Sequence, residues 1–281
     1  MNLNESNKFI INLLQKNEPF IISRMSDNVS KLTVLYLNGI LSSKHSQIIS
    51  NAELYDGIYN ITKTVPTYAK IYDNCLKNSV GLACFPTLCN QCQDYFINKY
   101  YLPKLYNRIL EPFYCILEDI KPWSHYLLGK KVLIINPFVE SMKQQLENNF
   151  TMFKDNALFL EEQEFIFYKS FQCLAGNKPH SNWFETYIQM CKDIKNLDFD
   201  IALLGCGGYG LPLCNFIKSK LNKSAIYVGG GLQLLFGVMG QRWVNFPMWT
   251  KIIKDNNCKF IRPSGDEMTN NKEIVEGGCY W

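Results

Sequence analysis

Gly205, Gly207 and Gly210 stand between two short apolar runs, and this arrangement constrains the chain more than any other feature. Residues 200–204 form a continuous apolar run behind a leading Asp, of strand length and too short for a helix. Residues 211–221 then place Leu213, Cys214, Ile217 and Leu221 on one helical face, and residues 225–228 are apolar again. A strand, glycine turn, helix and strand in that order predict a βαβ unit, which requires a parallel sheet covered on its faces.

The turn satisfies G-x-G-x-x-G, with Gly208 and Tyr209 between the fixed glycines. Missing side chains let a backbone approach a phosphate, and the helix start faces it with positive dipole and free amides. A tight turn that needs positive φ and holds no ligand would use the same glycines. Dinucleotide and S-adenosylmethionine sites carry an acid near the end of the following strand. Here that strand runs into Val228, Gly229, Gly230 and Gly231, with no carboxylate. Leu232, Leu234, Leu235 and Phe236 follow, so a second glycine-opened turn is expected to aim another helix start at the same crevice. Two such bends suit a diphosphate. Arg242 and Arg262 are the expected clamps for its charge, since a guanidinium binds phosphate oxygens in pairs. A salt bridge to Asp266 or Glu267 is the alternative use for either one.

Elsewhere the pattern predicts a strand over 19–25 with Arg24 at its polar tip, then a helical layer or insertion over 29–128. A second strand is expected at 131–135 with a helix through 146, a weaker strand at 157–160 or 164–168, and a helix over 182–195 capped by Asn182 and Glu185. These elements predict one α/β domain over 1–281. It has a Rossmann-like, mostly parallel sheet flanked by helices, with 130–281 as the nucleotide-binding portion and the helical insertion after the first strand.

Composition removes several classes. A net charge of +4 with 19% charged residues gives no basic stripe for nucleic acid. The start is amphipathic rather than signal-like, and no apolar run approaches the roughly 20 residues that span a bilayer, so a cytoplasmic chain without a transmembrane segment is expected. Eleven scattered cysteines predict reduced buried thiols; Cys84, Cys89 and Cys92 lack a fourth zinc ligand. Sequons at Asn28, Asn60, Asn149 and Asn222 are taken as accidents of an Asn-rich chain, and His45, His125 and His180 form no recognisable triad.

The stretch DIALLGCGGYGLPLCNFIKSKLNKSAIYVGGGLQLLFGVMGQRW, with GKKVLIINPFVESMKQQ before it and an ending in EGGCYW, resembles a bacterial and viral family of unassigned function. An early strand ending in an R-x-G-x-x-E-like motif, with the late glycine unit, is remotely similar to the GT-D type glycosyltransferases. That resemblance implies transfer of a sugar from a UDP-, TDP- or GDP-linked donor to a glycan or small-molecule hydroxyl. Arg24 matches the early motif, but Met25-Ser26-Asp27-Asn28-Val29 lacks its glycine and distal glutamate, so the role of that glutamate does not carry over. Asp27 and Glu140 are the leading candidates for the acceptor's base, ahead of Glu185 and Glu276, with Arg24 assisting. No metal ligands are assigned, and the use of Mg²⁺ or Mn²⁺ and a homo-oligomeric state are left open. The competing readings are an S-adenosylmethionine methyltransferase and a non-catalytic interaction protein on a degenerate enzyme fold.

Overall fold

Short apolar runs become the strands of one parallel sheet. The computed structural model describes residues 1–86 and 90–281. Its strands are β1 (Ile21–Arg24), β2 (Gly81–Ala83), β3 (Lys104–Leu105), β4 (Val132–Asn136), β5 (Phe165–Lys169), β6 (Ile201–Leu204) and β7 (Ser224–Tyr227). They form a seven-stranded sheet in the order β3-β2-β1-β7-β6-β4-β5. Every ladder is parallel. This is an α/β, Rossmann-like fold.

Alternate residues of each strand feed two cores, as the twofold period of a strand requires. Ile22, Ile134, Leu203 and Ile226 enter one. Ile21, Leu133, Ile135, Ala202, Leu204 and Ala225 enter the other. The second face is covered by helices Asp27–Leu37, Val65–Lys77, Asn90–Tyr100, Trp183–Lys195 and Gly210–Leu221, and the first by Leu3–Lys16, Val139–Glu147 and Pro247–Asn256. Burying both faces is what lets β6 be apolar throughout and β4 be apolar as far as Ile135.

Two expectations need correction. The segment 29–128 is mainly helical, but it also supplies β2 and β3, which extend the sheet beyond β1. Strands of three and two residues are too short to register as a period, and Gly81 is there for space: a Cβ would lie 3.0 Å from the Leu105 side chain. The second glycine bend does not open a full helix. Gly229–Gly231 is a 3₁₀ turn, Leu232–Leu235 is a single helical turn, and the chain reverses at Gly237 with φ +72°. Of the two weaker strand candidates, 164–168 corresponds to β5, whereas 157–160 is irregular.

The order of connections positions the crevice. After β6 and β1 the chain turns to the face carrying Gly210–Leu221 and Asp27–Leu37. After β4 and β7 it turns to the face carrying Val139–Glu147 and Leu232–Leu235. Neighbouring loops therefore diverge at the C-terminal edge of the sheet, where open α/β sheets leave room for a ligand.

Candidate functional site

A cleft of about 80 Å³ lies at that divergence. Its lining includes Arg24 from the tip of β1, Asn136 from β4, Gly205, Cys206 and Gly207 after β6, Tyr227 from the end of β7, and Gly229 and Gly230 after it. Asp56 closes one side; Ser170 and Gln172, from the segment after β5, close another.

The two glycine bends touch. A Cβ on Gly205 would lie 2.7 Å from the Gly229 carbonyl oxygen and 2.8 Å from Asn136 Nδ2. Asn136 Nδ2 donates to the Gly205 carbonyl at 2.8 Å while its Oδ1 accepts from the Phe138 amide at 2.8 Å, so one side chain joins the loops after β4 and β6. Gly207 has φ +59° and packs on the Asp56 carbonyl, with 2.9 Å left for a Cβ. The carbonyls of Gly207 and Gly208 accept from Tyr227 and Tyr68 hydroxyls at 2.7 and 2.8 Å, which holds the first bend rigid. Gly208 packs against Ile58, Gly210 against the Tyr227 ring and Gly230 against the Tyr280 ring. Much of the glycine requirement is therefore close packing, and the part of the bends that reaches the cleft is Gly205, Gly207, Gly229 and Gly230.

Arg24 stands where the bends meet. Its Nη1 donates to the Val228 carbonyl at 3.0 Å and its guanidinium lies 4.4 Å from the Phe85 ring centre. The side chain occupies the space a Cβ on Gly229 would need, and that glycine has φ +78°. Among the described residues Arg24 forms no ion pair. A guanidinium has five N–H groups, so donors remain for a ligand.

Asp56 is the functional group that sequence reasoning missed. It ends helix Ser46–Asp56 before Gly57, which adopts the left-handed conformation at φ +74°. It is 6% exposed and accepts from Asn28 Nδ2 at 3.2 Å. Burial pushes its carboxyl up to about 6, against the opposite pull of the Ser26 and Asn28 side chains. An Asp-Gly pair at a helix end reads as a cap, so only the fold reveals that this carboxylate meets the glycine bend.

Three buried polar atoms in the residues lining the cleft lack a hydrogen-bond partner: Ser26 Oγ, Ser170 Oγ and Gln172 Nε2. Ser26 is near enough to ease the charge on Asp56, yet no geometry between them makes a hydrogen bond. Such atoms normally find partners. Their concentration here marks a polar surface suited to a ligand.

The other expected site residues are distributed as follows. Asp27 begins helix Asp27–Leu37 and pairs with Lys31 at 2.7 Å, outside the cleft lining. Glu140 is half exposed and pairs with Lys143 at 3.0 Å. The start of its helix is already served by the buried carboxylate of Glu267, which accepts from the Glu140 and Ser141 amides at 2.8 and 3.2 Å. Neither acid is brought to the cleft. Glu185 caps its own helix, accepting from the Ser181 amide. Arg242 pairs with Glu276 at 2.5 Å and lines a neighbouring cavity, as does Gly231. Arg262 donates to the carbonyls of Met239 and Trp281 at 3.2 and 2.6 Å and clips two chain segments together, away from the cleft. Tyr209 lines the cleft but is 1% exposed, its hydroxyl donating to the Gly57 carbonyl at 3.1 Å.

Nine of the described cysteines are free, while Cys92 is disulfide-bonded, contrary to a uniformly reduced set; Cys89 lies outside the described residues. Among the described residues no group of three or more His, Cys, Asp or Glu side chains is arranged to hold a metal ion, and no helix is long and apolar enough to cross a membrane. Comparison with protein families, curated proteins and solved structures gives no match to this chain.

Proposed function

We propose that the chain is a glycosyltransferase that draws a sugar from a nucleotide-diphosphate donor, with the diphosphate at the junction of the two glycine bends. The observation carrying this reading is Arg24, a guanidinium with no ion-pair partner among the described residues, held at that junction in a cleft that also contains a buried carboxylate, Asp56. The resemblance of the early Arg motif and late glycine unit to GT-D enzymes supports the same chemistry.

In this reading the acceptor O–H gives its proton to Asp56 as its oxygen attacks the anomeric carbon. The bond from that carbon to the diphosphate breaks, and the electron pair leaves with the diphosphate. Arg24 and the amides of the bends stabilise the growing negative charge. A carboxyl near 6 is mostly ionised at neutral pH yet more basic than an ordinary Asp, which suits a general base. The cleft's volume, about 80 Å³, accommodates a phosphate group rather than a whole nucleotide sugar. The donor therefore requires Tyr280 or the 171–174 segment to move aside. Asp27, Glu140 and Arg262 have no part in this mechanism.

Thermal-shift titration with UDP, TDP, GDP, pyrophosphate, S-adenosylmethionine and NAD, each with and without Mg²⁺ or Mn²⁺, tests the reading. A nucleoside diphosphate is expected to stabilise the fold, by about 2.7 kcal/mol at 100 times its Kd, and Arg24→Gln to remove most of that effect. Stabilisation by S-adenosylmethionine alone would replace this function with methyl transfer.

A further inference from the structure

In nucleotide-binding α/β sheets the acid that grips a ribose stands near the end of the strand after the glycine turn, and at Val228–Gly231 the chain carries none. The fold supplies one from elsewhere. Glu111, in the segment after β3, is 5% exposed, and its Oε1 lies in the space that a Cβ on Gly231 would need. It reaches the tip of β7 because β1, β2 and β3 continue the sheet from β7 on the side away from β6, so the loops after them gather along one edge. Glu111 Oε2 accepts from Arg108 Nη1 at 3.4 Å, and Oε1 accepts from no donor among the described residues. An ionised carboxylate takes about four hydrogen bonds, so acceptor capacity remains.

Glu111 lines a cavity of about 280 Å³ that shares Arg24, Gly230 and Tyr280 with the first cleft. Apart from Arg24 its charges are balanced: Arg108 pairs with Glu111 at 3.4 Å and Arg242 with Glu276 at 2.5 Å. Trp243 and Phe246, the latter 55% exposed at the rim, supply flat apolar wall. Such a cavity suits an uncharged ring rather than a second phosphate. We infer that it is the nucleoside subsite of the donor, with the Glu111 carboxylate accepting from the ribose hydroxyls and the base against Trp243 and Phe246. This rests on the diphosphate reading of the first cleft and extends it. The phosphates sit at Arg24, on the border of the two linings, and the Tyr280 ring is the wall that moves to admit the donor. A grip on the ribose hydroxyls also selects among donors, favouring UDP or GDP over the deoxyribose of TDP.

Titration calorimetry of the full chain with UDP, 2′-deoxy-UDP and pyrophosphate tests this. UDP is expected to bind roughly ten-fold more tightly than 2′-deoxy-UDP, the worth of one hydrogen bond to a charged acceptor, and both more tightly than pyrophosphate. Glu111→Gln is expected to lose most of the preference for UDP over its deoxy counterpart while binding pyrophosphate as before, which also shows that the variant is folded. Phe246→Ala, at the exposed rim, keeps the inference testable if Glu111→Gln fails to fold: it is expected to weaken both nucleotides alike and to leave pyrophosphate unchanged. The inference alone is overturned if pyrophosphate binds and UDP binds no more tightly, if folded Glu111→Gln discriminates as the parent does, or if Phe246→Ala binds UDP unchanged. Failure of pyrophosphate and UDP alike to bind overturns the diphosphate reading as well.

Discussion

Desolvation dominates at Asp56, where burial raises the carboxyl from 3.8 to about 6 despite the Asn28 donor and the nearby Ser26 hydroxyl. A raised acid in the folded state contributes stability that is complete below pH 3.8 and is lost as pH rises through about 6. The gap corresponds to roughly 3 kcal/mol. Asp56→Asn removes the charge and is expected to stabilise the fold by up to that amount at pH 8, with the gain vanishing near pH 4, as read by urea unfolding at the two values. A general base must be ionised, so the transferase activity we propose is expected to rise across the same interval and to be lost in the variant. The four sequon asparagines are likewise explained by local geometry. Three sequon residues, Asn60, Asn149 and Asn222, occupy left-handed positions at φ 51°, 53° and 54°, a conformation Asn tolerates better than most residues. Asn28, the fourth, holds Asp56.

The late elements follow the sequence pattern closely because their signals are local. Helix Trp183–Lys195 starts at Asn182, whose side chain accepts from the Phe184 and Glu185 amides at 2.9 and 3.1 Å, as its spacing from Glu185 suggested. β6, its glycine turn and helix Gly210–Leu221 stand where the apolar runs put them. The second bend differed because its apolar residues, Leu232, Leu234, Leu235 and Phe236, all enter the core, and a buried turn of this kind looks like a helix in sequence. Gly229 is the sensitive position of that bend. Ala there would be forced to φ +78° and would press on Arg24. Gly229→Ala is expected to cost roughly 1–2 kcal/mol in stability and to weaken pyrophosphate binding as Arg24 is displaced, both measurable by thermal shift with and without pyrophosphate.

Across the whole molecule, the segment 261–281 acts as a tie beside the cleft. Trp281 is 4% exposed, donates from Nε1 to the Glu267 carbonyl at 2.9 Å, and meets Phe138 edge-on at 5.9 Å. It thereby links this segment to the loop after β4. Trp281→Ala is expected to destabilise the chain by about 3–5 kcal/mol in urea unfolding. Trp281→Phe is expected to lose less, since it keeps most of the packing and removes only the indole donor.

The sequence by itself determined the α/β class, the parallel strand and helix units after residue 130, and the first glycine turn, since each is written in a short window of periodicity, caps and missing side chains. Arg24 could also be found at a strand tip for the same reason. Only the tertiary structure decided that Asp56 and Arg24 share a cleft, and that Asp27, Glu140 and Arg262 stand apart from it. Those facts depend on the order of strands in the sheet and on which face each loop takes. Strand order brings residues far apart in the chain to one edge, and no local pattern encodes it.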